Sequence, residues 1–421
     1  MKRLSFILII MFSLFSCKSK GSVNEQIEPD DMKTGNGVTT PIPLKLSQNE
    51  QKILESNNAF SLALFRQISA QESKSFVVSP FSVSALLGML MNGADGKTYT
   101  QMQAALGFEG TDRQQINDYF HKMMTSLPAL DTTNIVRIAN ALWLANGFLI
   151  EDEFARQNNE CFNATIDNLN FTAPTAADII NAWAAKNTNN LIKEVIKRSM
   201  LNADTRMVLA NALYFKGKWD IPFKKSNTYK DTFHSATKGN QEVDMMSLTD
   251  DFLFTMTEDG AKILELDYED SKYCMDIILP SEQSSLKATV KKLCQTGEWN
   301  AALSHLETYE VYTRIPKFEV KYSTSLNDVL KKLGIKDVFT ASADLSLLSK
   351  EPTFLSLIKQ DAYLKVDEEG TEAAAVTIGI VGCTAVAPRD PQTFYANRPF
   401  MLVIREKQNG TILFMSEITE F

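Results

Sequence analysis

Histidine is almost missing from this chain: His121, His234 and His305 are the three among 421 residues, and none lies at metal-ligand spacing. Each reads as a surface residue. The sequence also lacks a nucleophile elbow, a phosphate-binding glycine loop and a dinucleotide fingerprint. Nothing therefore nominates a catalytic group, and the expectation is a protein that is not an enzyme and needs no metal or cofactor. Basic clusters are lacking too. The net charge is −8 with a pI near 5.2, and pairs such as Lys224-Lys225 and Lys331-Lys332 read as solvated faces. Phosphate recognition needs clustered Lys and Arg, so nucleic acid is excluded as an expected partner and no heparin-like cofactor is marked. Five cysteines include no CxxC pair. A chain of this length needs no disulfide staples. Cys161, Cys274 and Cys294 are expected as free, buried thiols, with Cys383 the exposed exception.

The N-terminus has no stretch of the roughly 20 apolar residues that spans a bilayer. Lys2 and Arg3 precede an apolar run from Leu4 to Phe15, which reads as a secretory signal over residues 1–16. Its ending, Leu14-Phe15-Ser16-Cys17, resembles a bacterial lipobox, in which Cys17 is acylated and becomes the mature terminus. Residues 17–45 are polar and dotted with Gly and Pro, the composition of a flexible tether. Together these imply a protein held on a membrane by a lipid at Cys17, in the bacterial cell envelope, at the outer membrane or cell surface. No oligomer signal is visible, and a monomer is expected.

What is present from residue 46 onward is one α+β domain with no internal linker. Ser47-x-x-Glu50 is a capping box opening a helix over 48–70. Ser79-Pro80-Phe81-Ser82 opens a second helix, apolar all round and so expected at the centre of the fold, ending near Gly93. The runs 135–145 and 207–215 read as buried strands, each carrying Asn-Ala-Leu-aromatic, at Asn140–Trp143 and Asn211–Tyr214. A helix is expected over 175–196, strands over 262–268, 274–279 and 309–320, and a helix over 325–333 stopped by Gly334. The C-terminus alternates as a hairpin, with strands 400–405 and 411–418 about Gln408-Asn409-Gly410. Helices dominate the first half and strands the second.

One segment fits no ordinary loop. From Ala373 to Ala387 it carries no charge and is built of small and β-branched residues, whereas disorder favours charge. Read as a strand from Thr371, one face carries Thr371, Ala373, Ala375, Thr377, Gly379 and Val381, all small or apolar. Its first proline is Pro388, so no ladder donor is missing before it. It looks like a strand outside its sheet.

Seven motifs, in order, now resemble the serpin family. They are Ser79-Pro80-Phe81-Ser82; Asn211-Ala212-Leu213-Tyr214-Phe215-Lys216-Gly217-Lys218-Trp219; Ile315-Pro316-Lys317-Phe318; Leu326-Asn327-Asp328-Val329-Leu330; Asp367-Glu368-Glu369-Gly370-Thr371-Glu372-Ala373-Ala374-Ala375; Asn397-Arg398-Pro399-Phe400; and Ile412-Leu413-Phe414-Met415. The resemblance covers residues 46–421. It implies a large central β-sheet, two smaller sheets, about nine helices and an exposed reactive-centre loop at about 368–396. It also implies a suicide-substrate mechanism: a protease cleaves the loop, an acyl-enzyme forms, and the loop enters the central sheet as an extra strand, carrying the protease with it.

By the same resemblance Glu368, Gly370, Thr371, Glu372, Ala373, Ala374 and Ala375 form the loop's hinge. Ser79, Ser82 and Asn211 match the shutter beneath the strands that part, and Trp219 matches the breach where insertion begins. Gln360 stands where many serpins have a shutter histidine; it can hydrogen-bond but cannot titrate. Ser416 replaces a usual glycine, with no consequence that the sequence explains. The family's spacing places the reactive bond at Thr384–Ala385. Counting back from Pro399 leaves Val386–Ala387 and Arg389–Asp390 open, the last implying a trypsin-like target. Thr384–Ala385 suits elastase-like or subtilisin-like serine proteases, with cysteine proteases also open. A non-inhibitory serpin that acts as a surface binding or chaperone-like protein remains the alternative.

Overall fold

The computed structural model describes residues 43–371 and 389–421. They form nine α-helices and fifteen strands and cluster as one compact unit. α1 (Gln48–Ser69) begins at the expected capping box, where Ser47 N–H donates to Glu50 Oε2 at 2.6 Å and Glu50 N–H to Ser47 Oγ at 3.3 Å. Its buried positions Ile53, Asn57, Phe60, Leu64 and Ile68 recur every three to four residues. A short strand, β1 (Phe76–Val78), leads into α2 (Pro80–Met91), capped by Ser79 with Pro80 in its first turn. Every residue of α2 is buried, as an all-apolar helix at the centre of a fold must be.

α3 (Gly96–Leu106), α4 (Arg113–Ser126), β2 (Ile135–Ala145), α5 (Asp152–Phe162), β3 (Ala164–Leu169), α6 (Ala176–Asn187) and β4 (Met207–Lys218) follow. α6 is shorter than the expected 175–196. It stops at Asn187 because Asn189 and Asn190 take left-handed backbone (φ 51° and 61°), and residues 188–196 continue as a linker. Next come β5 (Tyr229–Ser235), β6 (Gly239–Met256), β7 (Lys262–Asp267), β8 (Tyr273–Leu279), α7 (Leu286–Leu293), α8 (Glu298–Leu303) and β9 (Glu307–Pro316). β10 (Phe318–Ser325), α9 (Asn327–Lys332), β11 (Lys359–Asp367), β12 (Gly370–Thr371), β13 (Gln392–Tyr395), β14 (Phe400–Glu406) and β15 (Ile412–Ile418) complete the chain. The expected single strand 309–320 is two strands in different sheets, because Pro316 has no N–H to continue a ladder and the chain changes sheet at Lys317. β6 is not among the expected strands, since its exposed edge is written in polar residues such as Thr249, Asp250 and Asp251.

One sheet runs β10-β11-β12-β4-β2-β3; the other runs β1-β15-β14-β8-β7-β6-β9-β13, with β5 on β6. The two smaller sheets expected from the resemblance are thus continuous with each other through the 18-residue β6. α2 lies against the inner face of the six-stranded sheet and against β15 of the other, so its apolar surface joins both into one core.

Candidate functional site

The six-stranded sheet has a seam at its middle, between β4 and β11. At one end, β11 turns back through Glu368 and Glu369 into the two-residue β12. β12 is antiparallel to both neighbours, Thr371 lying between Val366 and Gly217, and Gly370 between Asp367 and Lys218. At the other end the described link across the seam is one parallel bridge, from Leu209 of β4 to Ile358, the residue just before β11. Between them, directly beyond Thr371, is a slot lined by Leu213 and Phe215 of β4 and Tyr363 and Leu364 of β11. Leu191 and Ile192 of the 188–196 linker cover it. Lys359 Nζ fastens that linker, donating to Val195 O at 2.6 Å while pairing with the buried Asp361 carboxylate at 3.1 Å.

The turn at the closed end is over-determined. Trp219 N–H donates to Glu369 O at 3.0 Å, its Nε1–H to Asp367 O at 3.0 Å, and Phe223 N–H to Glu368 O at 2.9 Å. The indole stacks on Tyr268 at 4.7 Å and 11°, and Tyr268 in turn shares a 2.6 Å hydrogen bond with the hydroxyl of Thr371. Burial pushes the Tyr268 phenol far up, so it stays neutral and available to that bond. Gly370 has φ 147°, and a Cβ there would sit 2.0 Å from Gly217 O, so only glycine lets the chain enter between the strands at this point. Glu368 is 4% exposed and accepts from Thr228 Oγ1 at 2.8 Å and Lys317 Nζ at 3.0 Å. Burial alone would raise its carboxyl, but the Lys317 bond, a backbone N–H and the Thr228 hydroxyl outweigh it and hold it below the ordinary value.

Farther along the seam, the sequence-selected polar residues fall into two groups, not one cluster. Ser79 and Gln360 are joined twice, Ser79 N–H to Oε1 at 3.2 Å and Nε2–H to Ser79 O at 2.7 Å, while Ser79 Oγ donates to Ser82 Oγ at 2.9 Å. Asn211 donates instead to Asn140 Oδ1 at 2.7 Å, and Asn140 donates to Phe162 O at 2.7 Å. Gln360 belongs to β11 and Asn211 to β4, so each group holds one side of the seam.

Sequence reasoning missed Asn140, Tyr268, Thr228 and Lys317 as members of this site. For Asn140 a signal existed: the repeated Asn-Ala-Leu-aromatic places Asn140 directly opposite Asn211 on β2 and β4. Tyr268, Thr228 and Lys317 carry no local pattern, because only the fold brings them to the turn. Of the hinge residues, Glu368, Gly370 and Thr371 stand in this turn. Glu372, Ala373, Ala374, Ala375, Thr384, Ala385, Val386, Ala387, Cys383 and Cys17 lie outside the described residues. Arg389 and Asp390 sit at the far base of the loop, next to β13.

Among the described residues, Glu265, Cys274 and Asp276 bring three potential metal-ligand atoms together. Arg405 already occupies both carboxylates, donating to Asp276 Oδ2 at 2.7 Å and to Glu265. Lys407 pairs with Glu265 at 2.9 Å, and burial, then the Asp276 charge, push the Cys274 thiol well up. This is a buried ion-pair network whose charges are spoken for, and its thiol is protonated. The three described cysteines are free, Cys274 and Cys294 buried and Cys161 half-buried.

Comparison with known proteins agrees with this architecture. A family model described as Serpin (serine protease inhibitor) matches residues 55–421. Human neuroserpin is 32% identical over 359 residues, which cover 82% of this chain and 86% of the relative. Leukocyte elastase inhibitor of Bos taurus is 32% identical over 380 residues, covering 88% and 99% respectively. The crystal structure of Serpin48, described as a highly specific serpin of the insect Tenebrio molitor, superposes with a TM-score of 0.78 at 30% identity. That superposition covers 89% of this chain and all of the other. The chain belongs to the serpin family, a family of protease inhibitors.

Proposed function

We propose that this serpin is inhibitory: a protease cleaves its loop, and the loop enters the β4–β11 seam as a full strand before the acyl-enzyme is hydrolysed. In that reaction the protease's nucleophile attacks the carbonyl of the bait residue. The peptide C–N bond breaks, the new amine leaves with the C-terminal fragment, and the bait residue remains esterified to the protease. The observation that carries the reading is the register of β12. Continued past Thr371, its two ladders place Ala373 between Leu364 and Phe215, Ala375 between Ala362 and Leu213, and Thr377 between Gln360 and Asn211. Gly379 then falls opposite both Ile358, just before β11, and Leu209 of β4, the two residues that bridge across the seam. Two independent ladders converge on one bridge, as a single extra strand between parallel neighbours requires.

The same register turns Thr371, Ala373, Ala375, Thr377, Gly379 and Val381 toward the core, the face that Thr371 presents to Tyr268. All are small enough for a slot already walled by Leu213, Phe215 and Leu364. Thr377 would supply a hydroxyl between the two polar groups that hold the sides of the seam apart. The ten residues Glu372–Val381, each adding ladder hydrogen bonds and burial, would stabilise the cleaved form by on the order of 10 kcal/mol. Val381 reaches Met207, the first residue of β4, and Thr384 follows just beyond the sheet's end. We therefore take Thr384–Ala385 as the reactive bond, with Glu368, Gly370, Thr371 and Glu372–Ala375 as the hinge. Ser79, Ser82, Gln360 and Asn211 would form the shutter, and Trp219 the breach.

A threonine bait flanked by Cys383 and Ala385 fits a small primary pocket. An elastase-like or subtilisin-like serine protease is the favoured target, and the name of the bovine relative points the same way. The lipobox-like ending at Cys17 supports a lipid anchor on a bacterial envelope membrane, at the outer membrane or cell surface, and our reading is of a monomer. The test is incubation with a panel of serine and cysteine proteases, followed by denaturing gels and sequencing of the released fragment. An SDS-stable complex and a fragment beginning at Ala385 are expected. Cleavage without complex across the whole panel would sink the inhibitory reading and leave the binding or chaperone-like alternative.

A further inference from the structure

Arg389 is one candidate reactive residue, and its surroundings give it a different task. Its Nη1–H donates to Glu307 Oε2 at 2.6 Å, and its guanidinium carbon lies 4.9 Å from the centre of the Tyr309 ring. Both partners belong to β9. Three residues on, Gln392–Tyr395 pair in parallel with Val311–Arg314 of the same strand. Gln392 Nε2–H reaches back to Asp390 O at 2.9 Å, Lys262 Nζ donates to Thr393 O at 2.7 Å, and the Tyr395 hydroxyl donates to Asp231 at 2.6 Å. The chain is therefore fastened to the sheet from Arg389 onward.

A protease holds its substrate extended on both sides of the bond it cuts, by adding it edge-on as a strand. With Arg389 as the primary residue, the segment beyond the bond would be Asp390-Pro391-Gln392, whose last member is already paired with Val311. The side chain that must enter the primary pocket is itself held by Glu307 and Tyr309. Residues 372–388 contain no Lys or Arg at all. We propose that Arg389 is a clasp and not a bait: Glu307 and Tyr309 hold it on β9, which ends the usable loop before its one basic residue and leaves trypsin-like proteases nothing to engage. This deepens the inhibitory reading and rests on the loop being the segment offered to proteases.

Timed digestion of the folded full-length protein with trypsin tests it, scored by mass for a fragment of residues 390–421. A synthetic peptide spanning residues 384–396 sets the intrinsic rate at Arg389–Asp390, including the slowing by its acidic neighbour. The folded protein should release the fragment more than about 100-fold slower than the peptide, since cleavage must wait for local opening. Glu307→Gln with Tyr309→Ala should raise that rate by at least about 3-fold, and Glu307→Gln alone, a half-exposed change that cannot disturb the core, by less. Cleavage of the folded protein at the peptide's rate would overturn the proposal. So would an SDS-stable trypsin complex acylated at Arg389, or a double variant as slow as the parent. Because fragment mass is the readout, a panel of proteases that all cut without forming a complex would end the inhibitory reading and leave this result standing.

Discussion

Strands β14 and β4 both lie at the centre of a sheet, and they are held in opposite ways. β14 pairs with β15 over Phe400–Arg405 on one side and with β8 over Met401–Glu406 on the other, with every residue buried. Arg405 of β14, Asp276 of β8 and Glu265 of β7 lock these three strands together through charges shielded from water. β4 pairs with β2 along Met207–Lys216, but among the described residues its other side pairs with two residues of β12 and through the Leu209–Ile358 bridge. There each side is anchored by its own polar ties: Gln360 of β11 to Ser79, Asn211 of β4 to Asn140 of β2, and Lys359 to Val195 O of the linker. A sheet built to stay is laddered and apolar. A sheet whose two sides are anchored separately leaves room for a new strand to pair between them.

Substitutions on the two sides of this contrast should behave differently. The largest effect is expected at the seam, in function and not in stability. Thr377→Arg would put a charge between Gln360 and Asn211 on the core face, so insertion should stop there. Stable complex with a target protease should be lost altogether while the melting midpoint of the uncleaved protein is unchanged. A variant that still forms complex would show that the register extended from β12 is wrong.

The next effect belongs to the locked sheet. Arg405→Met leaves Asp276 and Glu265 buried without their principal cation, and should lower stability by about 3–5 kcal/mol in urea unfolding. A loss under about 1 kcal/mol would mean that Lys407 alone neutralises the network. Gln360→Ala should cost about 1–3 kcal/mol, because the Ser79 N–H and carbonyl lose their buried partner. Being at the seam, it should also speed spontaneous conversion of the active inhibitor to an inactive form on warming. The Arg405 variant, compared at equal stability, should not.

The smallest effect concerns Glu368. Its carboxyl is held below the ordinary value of about 4.3, so its contribution is complete above that pH and is lost as the pH falls through the folded value. Acidification from pH 5 downward should therefore loosen the turn at Trp219, seen as a change in indole fluorescence. Glu368→Gln should flatten that part of the profile and leave the profile above pH 5 unaltered.

How much of this was legible in the chain differs between the same two regions. The locked sheet was visible as apolar runs and a hairpin turn at Asn409-Gly410, since its strands are buried on both faces and say so in composition. At the seam, Gly370 and Thr371 stand in the described turn, while the small, uncharged face from Ala373 onward that suggested a strand outside its sheet lies outside the described residues. The supports of the seam were not legible. Asn140 reads as a core polar residue until β2 and β4 are paired, and Tyr268 and Lys317 reach the Glu368 turn from β-strand ends far away in sequence. Helix α6 was overrun because Leu191 and Ile192 keep its apolar spacing, although the Asn189-Asn190 pair ends it and frees the linker that covers the slot. Pro316 hid a change of sheet inside one apparently continuous strand.

The central claim is that the seam is the resting place of the chain's own loop. The most direct test is the melting midpoint of the protein before and after its loop is cut at or near Thr384 by any protease that does not remain bound. Insertion predicts a midpoint far above that of the intact protein, with resistance to further proteolysis between Thr371 and Val381. A cleaved protein that melts at or below the intact midpoint, with that segment still open to attack, would contradict the account.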